Sequence, residues 1–137
     1  MNRILEEDAL TIAQTPINWQ KFHNKTILIA GANGYVPQHF VHGFMMRNKM
    51  SNENIHVIAL CRNENKARER FGEYFDREDF TLLIGDVLEE IKIEKKIDFI
   101  IDAASPAGVK ISNEDPVATF ETNVFGCSNL LKLAQHH

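Results

Sequence analysis

The sequence contains no uninterrupted apolar run of about 18 residues, the length a membrane-spanning helix needs, so no transmembrane segment is expected. It opens Met1-Asn2-Arg3-Ile4-Leu5-Glu6-Glu7-Asp8, which is acidic and has no apolar stretch of the secretory kind. The expected address is the cytoplasm, with no membrane partner. Cysteine is scarce: Cys61 and Cys127 stand far apart, in neither a CxxC nor a Cys/His ligand spacing. That excludes a disulfide scaffold and a zinc module, and leaves two buried or half-buried thiols in a reducing compartment. Positive charge is not in excess, with 15 Lys and Arg against 19 Asp and Glu and a formal net charge of −4. A sequence-independent nucleic-acid binder needs a basic face, so none is expected. The histidines do not make a metal set either. His39 and His42 share a helix face but have no carboxylate or third ligand nearby in sequence.

What is present is an ordinary globular composition, 44% hydrophobic and 25% charged over 137 residues, enough for one domain. There is no internal repeat. Residues 3–14 read as a short helix with Ile4, Leu5, Leu10 and Ile12 as its apolar contacts, ended by Thr15-Pro16. Trp19 and Phe22 are placed to pin this leader, residues 1–24, onto a body formed by residues 25–137. The leader is expected to take no part in the body's chemistry.

Thr26-Ile27-Leu28-Ile29-Ala30 is a continuous apolar run closed by Gly31, the pattern of a strand buried on both faces. A helix follows from about 34 to 47, with Val36, Phe40, Val41 and Phe44 on one side. A second strand covers 55–60. A second helix covers 63–75, with Ala67, Phe71 and Phe75 inward. Strands at 80–84 and 97–103 and a long helix at 116–135, with Val117, Phe120, Val124, Leu131 and Leu133 apolar, complete the series. Alternating strands and helices imply parallel strands joined by right-handed crossovers. The fold class is therefore α/β, a doubly wound three-layer α/β/α sheet of Rossmann type, in strand order 3-2-1-4.

Within that frame, Gly31 and Gly34 sit between a buried strand and a helix start. Glycine permits the tight turn and close backbone approach, while the helix start offers free N–H groups and the positive end of its dipole. Together these suit a pyrophosphate, and hence a dinucleotide. The third glycine of the usual pattern is replaced by Pro37, which the first helical turn tolerates because its missing N–H has no intrahelical partner. Strand two ends at Cys61-Arg62-Asn63-Glu64-Asn65-Lys66 without the carboxylate that NAD-selective sites place there. Arg62 is suited to a 2′-phosphate, with Lys66 as a helper, so NADP is favoured over NAD. The alternative for Arg62 is stacking on adenine or lying in solvent. Asp86, in Gly85-Asp86-Val87, is placed to accept from the adenine amino group or to cap a helix. Ala103-Ala104-Ser105 carries small side chains over which a dinucleotide can lie flat. The turn Ser105-Pro106-Ala107-Gly108 leads outward from it.

Gly31-x-x-Gly34-x-x-Pro37, Gly85-Asp86-Val87, Ala103-Ala104-Ser105 and Thr122-Asn123-Val124-x-Gly126, in this order, resemble the extended short-chain dehydrogenase/reductases. Within them the chain is most similar to the NAD-dependent epimerase/dehydratase family, in a branch like nucleotide-sugar 4,6-dehydratases and UDP-glucuronate decarboxylases. The resemblance spans about residues 25–135. It implies that Gly31, Asn33, Gly34, Tyr35 and Val36 line the pyrophosphate. Arg62 would lie by the adenosine ribose, Asp86 and Val87 by adenine, and Ala103, Ala104 and Ser105 along the nicotinamide-side ribose. Asn123 would sit close to the cofactor, or else serve as a structural amide. Such enzymes oxidise a sugar hydroxyl by hydride transfer to the nicotinamide, using a Tyr-x-x-x-Lys pair for acid/base work. Here His39 stands four residues after Tyr35 and Glu78 four after Tyr74. The chain is therefore expected to be an incomplete Rossmann part with no catalytic residues of its own, needing further sequence to meet a nucleotide sugar. The alternative is a regulatory module that binds a dinucleotide without turnover. A homodimer or other self-association, through the helix near 116–135, is expected in either case.

Overall fold

The computed structural model describes residues 2–106 and 113–136. Four parallel strands form one sheet: β1 (Thr26–Ala30), β2 (His56–Cys61), β3 (Phe80–Ile84) and β4 (Phe99–Asp102), in the order β3-β2-β1-β4. This is the expected order. The pairing register sets Leu28 beside Ile58 on one side and Ile100 on the other. All five residues of β1 are buried, because side chains alternate between two covered faces. Ile27 and Ile29 join Val57, Ala59, Val41, Phe44 and Phe71 in the larger core; Leu28 and Ala30 join Ile58, Leu60, Val87 and Leu130 in the smaller.

The larger core lies under α2 (Pro37–Met50) and α3 (Glu64–Phe71), which a 3-10 turn at Gly72–Tyr74 follows. The leader helix α1 (Arg3–Gln14) starts at Asn2, whose side chain accepts from the Leu5 N–H at 2.9 Å. It packs on the outer side of α2. A side chain at Gly43 would come within 2.5 Å of Ile12 Cγ2, so glycine is what lets the two helices approach. That closeness selects small residues: Ala9 and Ala13 are fully buried on α1, while Ile4 and Leu10, expected inward, are exposed. Arg47 of α2 donates to the Ala13 carbonyl at 3.2 Å, satisfying one open end of α1, and lies over the Trp19 ring at 4.9 Å. Trp19 meets Phe44 edge-on and Phe22 meets it at a tilt, as expected for pins.

Three helix expectations are corrected. Val36, just before α2, and Phe40 on it are exposed, and Gln38, His42, Met45 and Met46 are buried with Val41 and Phe44. Covered by the sheet on one side and α1 on the other, α2 has no single apolar stripe for a periodicity to reveal. The second helix ends at Phe71 rather than Phe75. The long helix is α4 (Pro116–Glu121), a π turn (Thr122–Gly126) and α5 (Cys127–His136). Along it Leu130 is buried, whereas Val117, Phe120, Val124 and Leu131 are exposed.

Candidate functional site

The ends of all four strands open onto one cavity of about 680 Å³, at the point between β1 and β4 where the strand order reverses. Open α/β sheets bind ligands at that position. Its floor begins at Gly31, whose φ of 69° lies in the left-handed region. A Cβ there would stand 2.6 Å from the Ala103 carbonyl oxygen and 2.9 Å from Ala104 Cα. Both conformation and contact therefore demand glycine, and the turn after β1 lies directly against the end of β4. The turn is closed by the Gly34 N–H donating to Gly31 O at 2.9 Å, and the Ala32 N–H donates to Leu60 O at 3.2 Å. Pro37 then occupies the first turn of α2, as expected, and its ring lies 3.0 Å from where a Gly34 Cβ would be.

Of the residues singled out in the sequence, Gly31, Asn33, Gly34, Arg62, Asp86, Val87, Ala103, Ala104 and Ser105 all line this cavity. Tyr35 and Val36 do not: their side chains point to solvent at 79% and 62% exposure, and the Tyr35 carbonyl accepts from Gln38 and His39. Asn123 is exposed, and the neighbouring Thr122 lines the cavity in its place. Thr122 begins the π turn and is 6% exposed, its hydroxyl donating to Ala118 O at 2.9 Å. Of the turn Ser105-Pro106-Ala107-Gly108, Ala107 and Gly108 lie outside the described residues.

No helix begins after Asp86, so its carboxylate closes a turn rather than capping a helix. One oxygen accepts from the Leu88 N–H at 3.0 Å, and the other faces Arg62 Nη1 at 3.6 Å. Val87 is held from behind. Gly126 leaves no room for a side chain, since a Cβ would meet Val87 Cγ2 at 2.6 Å, and the Asn129 amide donates to Val87 O at 2.9 Å. Asn129, three residues beyond Gly126, is not among the residues the sequence singles out, and neither are Leu60, Asn63 and Arg70, which line the cavity with Lys66. Asn63 caps α3 by accepting from the Lys66 N–H at 3.0 Å.

The cavity wall on the α3 side carries Arg62, Lys66 and Arg70, spaced by four residues, and Asp86 is the one carboxylate among the described lining residues. Such a wall suits an anion. Cys61, at the end of β2, is 1% exposed, and burial pushes its thiol up to about 11, so it is a neutral packing group. Beneath α2, His42 Nδ1 lies 2.7 Å from the Tyr74 hydroxyl, and burial first, then the nearby His39, lowers its pKa to about 4. His39 reaches Asp8 instead, at 3.4 Å. Among the described residues no group of three His, Cys, Asp or Glu side chains is placed to hold a metal ion, and no helix is long and apolar enough to cross a membrane.

Comparison with known proteins agrees with this geometry. UDP-glucuronic acid decarboxylase 3 of Arabidopsis thaliana is 32% identical over 123 residues, which is 88% of this chain and 34% of that protein. UDP-glucuronic acid decarboxylase 1 of Danio rerio is 34% identical over 112 residues, covering 81% and 25%. The chain thus spans about a third or less of the length of these relatives. A solved structure, Pen from Bacillus thuringiensis, superimposes with a TM-score of 0.68 at 22% identity, covering 82% of this chain and 34% of that one, and shares the fold. The NAD dependent epimerase/dehydratase family matches residues 27–137. The chain belongs to that family.

Proposed function

We propose that the chain is the dinucleotide-holding part of a nucleotide-sugar enzyme, gripping NADP in preference to NAD through the cavity at its strand ends. The observation that carries this reading is the Gly31 turn: it is pressed against Ala103 and Ala104 and opens onto the same cavity as Arg62 and Asp86. A turn with no room for a side chain at Gly31, followed by a helix start, offers backbone N–H groups to a pyrophosphate. Asp86 and Val87 then border the adenine, and the small Ala103-Ala104-Ser105 segment borders the nicotinamide-side ribose. Arg62 stands where an NAD-selective site has a carboxylate, and supports the preference for a 2′-phosphate.

The relatives' names make UDP-glucuronate the first substrate to test. When bound, the nicotinamide would accept hydride from a sugar carbon. This chain's part is to bind and orient the dinucleotide. Neither of its tyrosines has a lysine four residues on, and Tyr74 is buried against His42, so the 137 residues alone should not oxidise a nucleotide sugar. Self-association accompanies the reading, supported by the exposed Val117, Phe120, Val124 and Leu131.

Calorimetric titration with NAD, NADH, NADP and NADPH tests the proposal. Saturable binding at one site, tighter for the phosphorylated pair and weakened there by Arg62→Ala, is expected. No binding of any of the four would refute it.

A further inference from the structure

All six arginines of the chain are among the described residues, and five of them face a carboxylate. Arg3 pairs with Glu7, Arg47 with Glu53, Arg68 with Glu64 and Arg77 with Asp79; Arg62 lies 3.6 Å from Asp86. Arg70 is the exception. It is half-buried, one residue from the end of α3, and its Nη1 donates to Gln38 Oε1 at 2.9 Å and to Gly34 O at 3.3 Å. Both acceptors are neutral. They fix the guanidinium against the glycine turn without compensating its charge.

A half-buried guanidinium held by neutral acceptors at the wall of a cavity is prepared for an anion that the protein itself does not supply. The other two cations of this wall are looser. Lys66 is exposed, and the Arg62 side chain is 62% exposed, so each must give up rotamer freedom to reach a ligand. Arg70 has already done so, through Gln38 and Gly34. Its bond to Gly34 O also places it beside the turn, between the end of β2 and the start of α2.

On the cofactor reading above, we infer that Arg70 is a specificity-determining residue. It receives the phosphomonoester on the adenosine ribose of a 2′-phosphorylated dinucleotide, with Arg62 and Lys66 closing over the same group. Arg62 alone does not then decide between the two cofactors. Gln38, which is not among the described residues lining the cavity, holds Arg70 in place and leaves its charge free.

The test compares four probes, NADPH, NADH, adenosine 2′,5′-bisphosphate and 5′-AMP, against wild type, Arg70→Ala, Arg70→Lys and Gln38→Glu. Thermal unfolding checks that each variant folds. Arg70→Ala should weaken NADPH and the bisphosphate by about 10- to 100-fold, the worth of charge-assisted hydrogen bonds. NADH and 5′-AMP should change less than about threefold. Arg70→Lys should fall between, keeping the charge but losing the fork. Gln38→Glu keeps the arginine and sets a carboxylate against it, so it should weaken the same two probes selectively, even if Arg70→Ala fails to fold. Equal loss of all four probes in Arg70→Ala, or no loss, would overturn the inference, while binding of the probes by wild type would still uphold the cofactor reading. If wild type binds none of the probes, the cofactor reading itself has failed.

Discussion

Replacing Gly31 with alanine tests the turn on which the site is built. Two costs add at this position. An L residue at φ of 69° loses about 1–2 kcal/mol relative to glycine. The new Cβ would lie 2.6 Å from Ala103 O and 2.9 Å from Ala103 C, both backbone atoms at the end of β4. They cannot swing aside as a side chain would, because the Ala103 N–H is bonded to Ala30 O at 3.1 Å and β4 is paired along β1. Overpacking of this kind costs about 1–3 kcal/mol. The sum, about 2–5 kcal/mol, is a large share of the roughly 5–15 kcal/mol that holds a domain together. Urea unfolding followed by the fluorescence of Trp19, the sole tryptophan and 7% exposed, reads the loss directly. With a slope near 2 kcal/mol/M, the midpoint should fall by about 1–2.5 M. Gly72→Ala is the control. Nothing lies within 4 Å of its Cβ position, so it should stay within about 0.5 kcal/mol of wild type. If Gly31→Ala costs no more than Gly72→Ala, the account of the turn is wrong.

Further outcomes follow from other contacts. His42 titrates near 4 in the folded chain against 6.5 when unfolded, so the unfolded state binds the proton first. Stability should be full above pH 6.5 and decline by about 3 kcal/mol as pH falls toward 4; His42→Gln should flatten urea midpoints over that window, and an unchanged slope would refute the assignment. Asn129→Ala leaves the Val87 carbonyl without its donor and should cost about 1 kcal/mol and weaken NADPH and NADH alike, measured by unfolding and calorimetry. Sedimentation at high concentration should show self-association that Phe120→Glu or Leu131→Glu reduces, since both side chains are more than half exposed on the helix near 116–135. A wild-type monomer throughout would count against that surface.

Much of the site was legible because its signals are local. Gly31 had to be glycine for a conformation that four consecutive residues define, and small residues at 103–105 follow directly from the end of a strand. What was not legible depends on elements far apart in the chain. Arg70 reads as one charge among several on a polar helix; Glu64 lies four residues before Arg68 and neutralises it, but nothing within reach in sequence shows that Arg70 faces Gly34 and Gln38. The motif leaves Asn123 either beside the cofactor or as a structural amide, and only the packing of its helix shows that Asn123 is exposed while Thr122 lines the cavity. Asn129 reaches Val87 across forty-two positions.

By itself the sequence determined the alternation of strands and helices and the doubly wound class. Apolar runs closed by glycine specify strands buried on two faces, right-handed crossovers narrow the arrangements to a few, and the glycine turn after the first strand favours the order 3-2-1-4 among them. It also determined where the glycine turn at Gly31 stands. The tertiary structure alone decided which face of each helix is buried. α2 is pressed between the sheet and α1, so Gln38 and His42 go inside and Phe40 stays out. It also decided which cations keep an uncompensated charge. Burial and pairing depend on what the rest of the chain brings alongside, and a periodicity within one helix carries no record of its neighbours.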